Sequence, residues 1–482
     1  MAKTRTNEGA VCYDHSLDNA TEFFSKAGSL YKTKTKKSFY KNETSALELF
    51  KPVWCSGQKE IAMKLLFWLR DPRGGAGNRS GFRDCLKWLV ETDPKWIDAN
   101  KHLIPLYGRY DDLRMLFATS LEDSIAEMWS NKIVAKDGLA CKWADRKDTP
   151  ILKKLRSKGI LKDIGEFRRM LAKFRNFVPE AKMCSKNWKE IEYPKVPSVA
   201  MSRYTKAFAK NDAKRFEKYK EALVSGEAKI NASALFPHDL VRTVLNGDAK
   251  IADAQFEALP NYMGKSNARI MTIVDTSGSM SSIIGGSVHA WHVSTSLGLY
   301  CSDRLGKDNP FYKNFLQFAS ESKLTDWGKY TFSEAYKGYS TWGGKQNSLF
   351  DGACSGTRID KALDSILNFA VMFKATNEQI PNMLLIISDM QFQEGSSVYG
   401  STDTEVERCM KKWDEAGYAR PKIVYWNTDG YAGSQDVATS KNVGLVSGFS
   451  PSILEAILNA KDFTPKGIML EKIKKYEIVV PN

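Results

Sequence analysis

Two runs, RIMTIV (269–274) leading into Asp275 and MLLIISD (383–389), limit this chain more than any other feature in it. Each is apolar at nearly every position, and each stops abruptly at an aspartate. A strand with one wet face alternates apolar and polar residues. A run that is apolar throughout has to be buried on both faces, as in a parallel sheet covered by helices. FYKNFLQFAS (311–320), KIVYWN (422–427) and NVGLVSG (442–448) read as further short strands. Between the runs lie segments of helical length: SVHAWHVSTSLGLYCSDRL (287–305), RIDKALDSILNFAVMFKA (358–375), TDTEVERCMKKWDEAG (402–417) and SPSILEAILNA (450–460). Strands alternating with helices of this length predict a doubly wound α/β domain over residues 265–482.

The first half has a different period. ETSALELFKPVWCSGQKEIAMKLLFWLRD (43–71), GFRDCLKWLVETD (81–93) and DDLRMLFATSLEDSIAEMWSNKIVAK (111–136) carry apolar residues at helical spacing, separated by short breaks. Successive helices with short turns predict an α-helical repeat domain over residues 43–260, after an N-terminal extension, residues 1–42. ALPNYMGKSN (258–267), with Pro260 and Gly264, marks the boundary between the halves.

Charge divides the chain in the same place. Residues 131–220 hold 25 Lys and Arg against 10 Asp and Glu, which equals the whole net charge of +15. Residues 261–482 hold 23 of each sign. A basic helical unit joined to a neutral α/β unit predicts a polyanion partner, nucleic acid above all. In SVAMSRYTKAFAKNDAKRFEKYKEAL (198–223), read as one amphipathic helix, Arg203, Lys206, Lys210 and Lys214 step by three and four along one face, with Tyr204, Phe208 and Phe216 off the row. Lys142, Arg146, Lys147, Arg168 and Arg169 complete the candidate RNA-binding set. Arg70, Arg73 and Arg79 flank the glycine-containing stretch RDPRGGAGNR (70–79), a further candidate phosphate contact. It lacks the spacing of a nucleotide-binding P-loop. The eight cysteines are scattered, with no CxxC pair, which suits reduced thiols and a cytoplasmic setting. No apolar run approaches the roughly 18 residues needed to span a bilayer, so no membrane role is expected.

Asp275 lies where an open α/β sheet binds its ligands, at the carboxyl end of a strand. It opens a D-x-S-x-S loop with Ser277 and Ser279. Thr357, at the start of a helix, and Asp389, at the end of MLLIISD, fall at the same sheet edge; Thr341 in YSTWGG is a second candidate for the threonine position. All are hard oxygen donors, suited to Mg²⁺ or Mn²⁺ over Zn²⁺. Ser277, Ser279 and Thr357 would ligate directly, and Asp275 and Asp389 would hold metal-bound waters. His289 and His292 share one helix, but no cysteine or further histidine lies near them in sequence to build a metal site.

This arrangement resembles the metal-ion-dependent adhesion site of von Willebrand factor type A domains. Asp275, Ser277 and Ser279 match its first loop, Thr357 its second and Asp389 its third. WLRDPRGGAGNRSGFRDCLKWL (68–89), IPLYGRYDDLRML (104–116), CKWADR (141–146), KVPSVAMSRYTKAF (195–208) and KINASALFPHDLV (229–241), with SDMQF (388–392) and LVSGFSPSIL (445–454), resemble a family of Ro-like proteins. There a helical-repeat domain related to the TROVE module, HEAT-like and able to close into a ring, precedes a type A domain. The resemblance implies an RNA-binding ribonucleoprotein component that holds structured RNA or single-stranded RNA ends. Its metal domain would brace the ring or recruit a partner that supplies an acidic side chain. The alternative is a metal-dependent interaction or scaffold protein without RNA. Neither reading is enzymatic, because no histidine or lysine is marked as a general base beside the hydroxyl ligands.

Overall fold

The structure, a computed structural model, describes residues 3–481 apart from 31–43, 148, 176–178, 246, 265–267, 286–287, 337–355, 396–402 and 431–432. An antiparallel hairpin, β1 (Lys3–Arg5) and β2 (Val11–Tyr13), opens the chain. The C-terminal half is built on β3 (Ile270–Asp275), β4 (Asn314–Phe318), β5 (Ser322–Asp326), β6 (Met383–Ser388), β7 (Lys422–Asn427) and β8 (Val443–Ser447). They form one six-stranded sheet in the order β8-β7-β6-β3-β4-β5, parallel except for β5, which runs antiparallel to β4 at one edge.

The apolar runs are buried on both faces. Along β3, Ile270 and Val274 enter one core, and Met271 and Ile273 the other. β6 divides likewise, with Met383, Leu385 and Ile387 on the first side and Leu384 and Ile386 on the second. Helix Ala290–Arg304 covers the first face, and helices Ile359–Met372 and Glu405–Glu415 cover the second. The chain leaves β3 toward β4 on one side and returns to β6 on the other. That reversal puts a crevice at the carboxyl ends of β3 and β6, the position where such sheets bind ligands.

The first core does not stop at the sheet. Phe23 from the N-terminal extension and Phe50, Trp68, Phe82, Trp129 and Phe256 from the helical half pack into it with Ile270, Trp426 and Val446. A third core, separate from both, joins Ile191 and Tyr193 to Met201, Phe208, Phe216 and Ile251. Helix Asn19–Lys26 and the turn Ala27–Ser29 after it pack on the β8 side of the sheet. Gly28 N donates to Ser447 Oγ (3.0 Å), and Ser29 Oγ donates to the Asn427 carbonyl (2.6 Å).

The helical segments are shorter than their periodicity suggests. Residues 43–71 break into Ala46–Cys55 and Lys59–Arg70 around Gly57, which takes φ +83°. Residues 111–136 begin as a 3₁₀ turn, Tyr110–Leu116, and become helical only at Glu122–Val134. Residues 198–223 are two helices, Ser198–Asn211 and Ala213–Val224. Asp212 breaks them: its backbone leaves the helical region, and its carboxylate accepts from Tyr193 Oη (2.7 Å) and Arg215 Nη1 (2.8 Å). Lys214 therefore leaves the row of Arg203, Lys206 and Lys210. β5 was not expected, because only one of its five residues is buried and its side chains carry no apolar run.

Candidate metal centre and basic surfaces

Asp275 ends β3 at full burial, and its backbone and side chain build the loop that follows. Ser277 N donates to Asp275 Oδ1 (2.9 Å), Ser388 Oγ donates to Asp275 Oδ2, and Ser294 Oγ ties down the Asp275 carbonyl (2.9 Å). A short 3₁₀ turn, Gly278–Ser281, then brings Ser279 Oγ to 3.2 Å from Ser277 Oγ. Thr357 precedes helix Ile359–Met372 and follows Gly356, whose φ of +103° favours glycine. Its carbonyl accepts from Gln393 N (2.9 Å), which binds it to the segment after β6. Asp389 follows β6, and its Oδ1 accepts from Gln391 N (3.1 Å).

The structure thus places Asp275, Ser277, Ser279, Thr357 and Asp389 at the carboxyl edge of the sheet, every one buried. Thr341 lies outside the described residues. Burial pushes the Asp275 carboxyl up to about 6, against the hydrogen bonds of Ser277 and Ser388. Asp389 is pushed well above the usual carboxylate range, by burial first and then by the charges of Asp275 and Asp429. Two atoms of the set, Thr357 Oγ1 and Asp389 Oδ2, are buried with no hydrogen-bond partner. Unpaired buried oxygens beside mutually repelling carboxylates are the surroundings in which a hard divalent cation relieves both problems, so the residues present fit Mg²⁺ or Mn²⁺. Among the described residues, no three His, Cys, Asp or Glu side chains are grouped for a metal by themselves, so the donor set depends on its hydroxyls.

Sequence reasoning missed three contributors. Ser388 is hidden inside an apolar strand. Asp429 follows β7 in WNTDG and repeats the pattern of a buried strand ending in an acid, which could have found it. Glu8 lies far away in sequence, and its charge reaches Asp275 only through the fold. His289 and His292 serve the local turn: His289 Nδ1 lies 2.6 Å from the Ser281 carbonyl, and His292 Nδ1 accepts from His289 N (3.0 Å).

The basic residues form two groups on different cores. Lys142 sits on helix Gly138–Trp143, half-buried, with its ammonium 5.5 Å from the Trp143 ring. Arg146 and Lys147 are exposed just beyond it, and Arg168 and Arg169 are exposed on helix Ile164–Phe174. Arg168 Nε donates to the Arg146 carbonyl (3.0 Å), joining these segments. Arg203, Lys206 and Lys210 are exposed on Ser198–Asn211 and Lys214 on Ala213–Val224, around the third core.

The 70–79 stretch departs from expectation. Arg70 is buried against Asp112, and Arg79 pairs with Asp111 and Asp112. The loop backbone is braced by the end of the chain: Lys475 Nζ donates to the Gly74 carbonyl (2.8 Å) and Tyr476 Oη to Asp71 Oδ2 (3.0 Å). Of the three arginines only Arg73 is exposed. The loop is a junction between the two halves, not an open cradle.

Two family models match, both described as domains of unknown function: DUF2828 over residues 118–276 and DUF7788 over residues 269–478. Uncharacterized protein L728 of Acanthamoeba polyphaga mimivirus is 24% identical over 493 residues, covering 90% of this chain and 82% of that protein. The crystal structure of the Deinococcus radiodurans Ro (RSR) protein is similar at a TM-score of 0.40 and 12% identity, covering 95% of this chain and all of that one. Among the described residues no helix is long and apolar enough to cross a membrane, and the seven described cysteines are free thiols.

Proposed function

We propose that this chain is a cytoplasmic RNA-binding protein of Ro-like organisation. A HEAT-like helical-repeat half holds structured RNA or single-stranded RNA ends, and a von Willebrand type A half carries a Mg²⁺ or Mn²⁺ site. The observation that supports RNA most is the concentration of exposed Lys and Arg on the helical half, against a C-terminal half without net charge. Such surfaces bind phosphates and release counterions, and RNA would be chosen by shape and by free ends. The reading is one of binding rather than turnover. The donors around Asp275 are hydroxyls and carboxylates, and the nearby His289 and His292 spend their Nδ1 atoms on a turn.

At the metal site Ser277, Ser279 and Thr357 would hold the cation, with Asp275 and Asp389 holding its waters. Bound there, the ion supplies a Lewis-acid contact for a carboxylate or phosphate oxygen. The orphaned Thr357 Oγ1 and Asp389 Oδ2 favour the second reading, a metal-dependent interaction or scaffold protein that takes an acidic side chain from a partner. RNA binding by the full chain over a salt series, with and without chelator, separates them. Salt-steep binding indifferent to chelator supports the RNA reading. No binding at low salt removes it and leaves the metal-dependent contact.

A further inference from the structure

The turn that carries Asp389 is strained and is held from outside. Next to Asp389, Met390 is buried at φ +63°. A residue with a side chain keeps that conformation only where its surroundings fix it. Here Met390 N donates to Ser388 Oγ (2.9 Å), and the Met390 carbonyl accepts from Gln435 Nε2 (3.3 Å). Gln391 N then donates to Asp389 Oδ1 (3.1 Å), and Gln393 N donates to the Thr357 carbonyl (2.9 Å). Residues 389–393 thus position two candidate ligands at once.

The N-terminal hairpin grips this stretch from both of its own ends. At the tip, Thr6 Oγ1 donates to the Phe392 carbonyl (2.6 Å), Asn7 N to Gln391 Oε1 (3.0 Å) and Glu394 N to the Glu8 carbonyl (3.3 Å), and Gly9 bridges to Gln393. At the base, Tyr13 and Ser434 exchange two backbone bonds of 2.8 Å, and the next residue, Gln435, is the one that holds the Met390 carbonyl. All three side chains of β1 are exposed. A two-stranded hairpin is marginal by itself in water, so its order depends on these docking bonds. Asp275, Ser277 and Ser279 need no such help, because Ser388 and Ser294 tie their loop within the α/β half.

We propose that this hairpin, residues 3–13, is a clasp that regulates the metal site. Docked, it holds Asp389 and Thr357 in ligating position; undocked, it lets the Met390 turn relax and the ion leave. The inference rests on the metal-site reading above and extends it to how the site is controlled. Linkage is reciprocal, so a bound ion must tighten the hairpin by the same factor by which the docked hairpin tightens the ion.

The test pairs two measurements on the full chain: Mn²⁺ titration followed by electron paramagnetic resonance, and hydrogen exchange of residues 3–13 with Mn²⁺ or with chelator. Thr6→Val, which removes the hydroxyl bound to Phe392 and touches no candidate ligand, should weaken Mn²⁺ by about fivefold. Thr6→Ser, which keeps the hydroxyl, should bind as wild type does. In wild type, Mn²⁺ should slow exchange in the hairpin, a readout that needs no variant to fold. If Thr6→Val binds Mn²⁺ like wild type, or if the hairpin of Mn²⁺-loaded wild type exchanges as fast as in chelator, the clasp is overturned while the site itself stands. If wild type binds no Mn²⁺, the metal reading falls and takes this inference with it.

Discussion

Arg70 Nη2 lies 2.7 Å from Asp112 Oδ2, with both side chains almost completely withdrawn from water. The pair pins helix Lys59–Arg70 to the 3₁₀ turn Tyr110–Leu116, and Arg83 Nε adds a bond to Asp112 Oδ1 (2.7 Å). Burial alone would raise the Asp112 carboxyl; the guanidiniums of Arg70 and Arg83 more than reverse it and hold it below its ordinary value. Asp112→Ala should therefore destabilise the protein by about 3–5 kcal/mol, since it strands a buried guanidinium. Arg79→Ala, at a partly exposed pair, should cost less than about 1 kcal/mol. Urea denaturation of the two variants checks the contrast.

Lys472 supplies a pH dependence. It is buried beneath the β8 loop, donating to the Ser452 carbonyl and to Ser452 Oγ (3.1 Å). Burial, then the charge of Lys475, lowers its pKa to about 7, with Glu455 and Asp71 opposing. Unfolded, the ammonium returns to about 10.4. In the window between these values the unfolded chain binds more protons, so this group makes stability rise with pH, and the gain is lost as pH falls through 7. Melting curves from pH 7 to 10 should show that slope in wild type and a flatter one in Lys472→Met.

Metal removal should be visible in stability. With Mg²⁺ at a hundred times its Kd, the folded chain should gain about 2.7 kcal/mol, and chelator should take it away. Asp389→Asn should abolish the response and, in chelator, melt above wild type, because it removes a repelled buried carboxylate. A chelator-insensitive melting temperature in wild type would speak against the site.

The two basic groups can be separated by salt dependence. Arg203→Ala with Lys206→Ala and Lys210→Ala, or Arg146→Ala with Lys147→Ala, Arg168→Ala and Arg169→Ala, should each lower RNA affinity. Every side chain that pairs with a phosphate should, once replaced, make the log–log salt slope shallower by about 0.7–0.9. Arg73→Ala tests the junction loop by itself; Arg79→Ala should register in stability rather than in affinity, because its guanidinium is held by Asp111 and Asp112. Equal slopes in all variants would place RNA elsewhere.

Much of the C-terminal half is legible in the residue order. The runs at 270–275, 383–388, 422–427 and 443–447 become buried strands because no other arrangement hides both sides of a fully apolar segment. The helix breaks at Gly57 and Asp212 are less legible. Hydrophobic period continues through both, and only a glycine's backbone freedom at one and a tyrosine partner at the other interrupt the helix. The 70–79 loop shows the same limit, since nothing local says that Gly74 meets Lys475 and Tyr476, or Gly77 Phe236, rather than solvent.

Sequence alone determined the class of the C-terminal sheet, the split of charge between the halves, and the placing of Asp275 and Asp389 at strand ends. Those follow from burial and periodicity, which act over a few neighbouring residues. Tertiary structure decided that these two aspartates meet, since that depends on β3 and β6 being neighbours in the sheet order. It also decided that Arg70 and Arg79 are braces, that Lys214 leaves the basic row, and that the Thr6–Gly9 turn is bonded to residues 391–394. Each depends on packing between segments tens to hundreds of residues apart. Such packing is set by how whole layers fit together, and no local pattern of side chains encodes it.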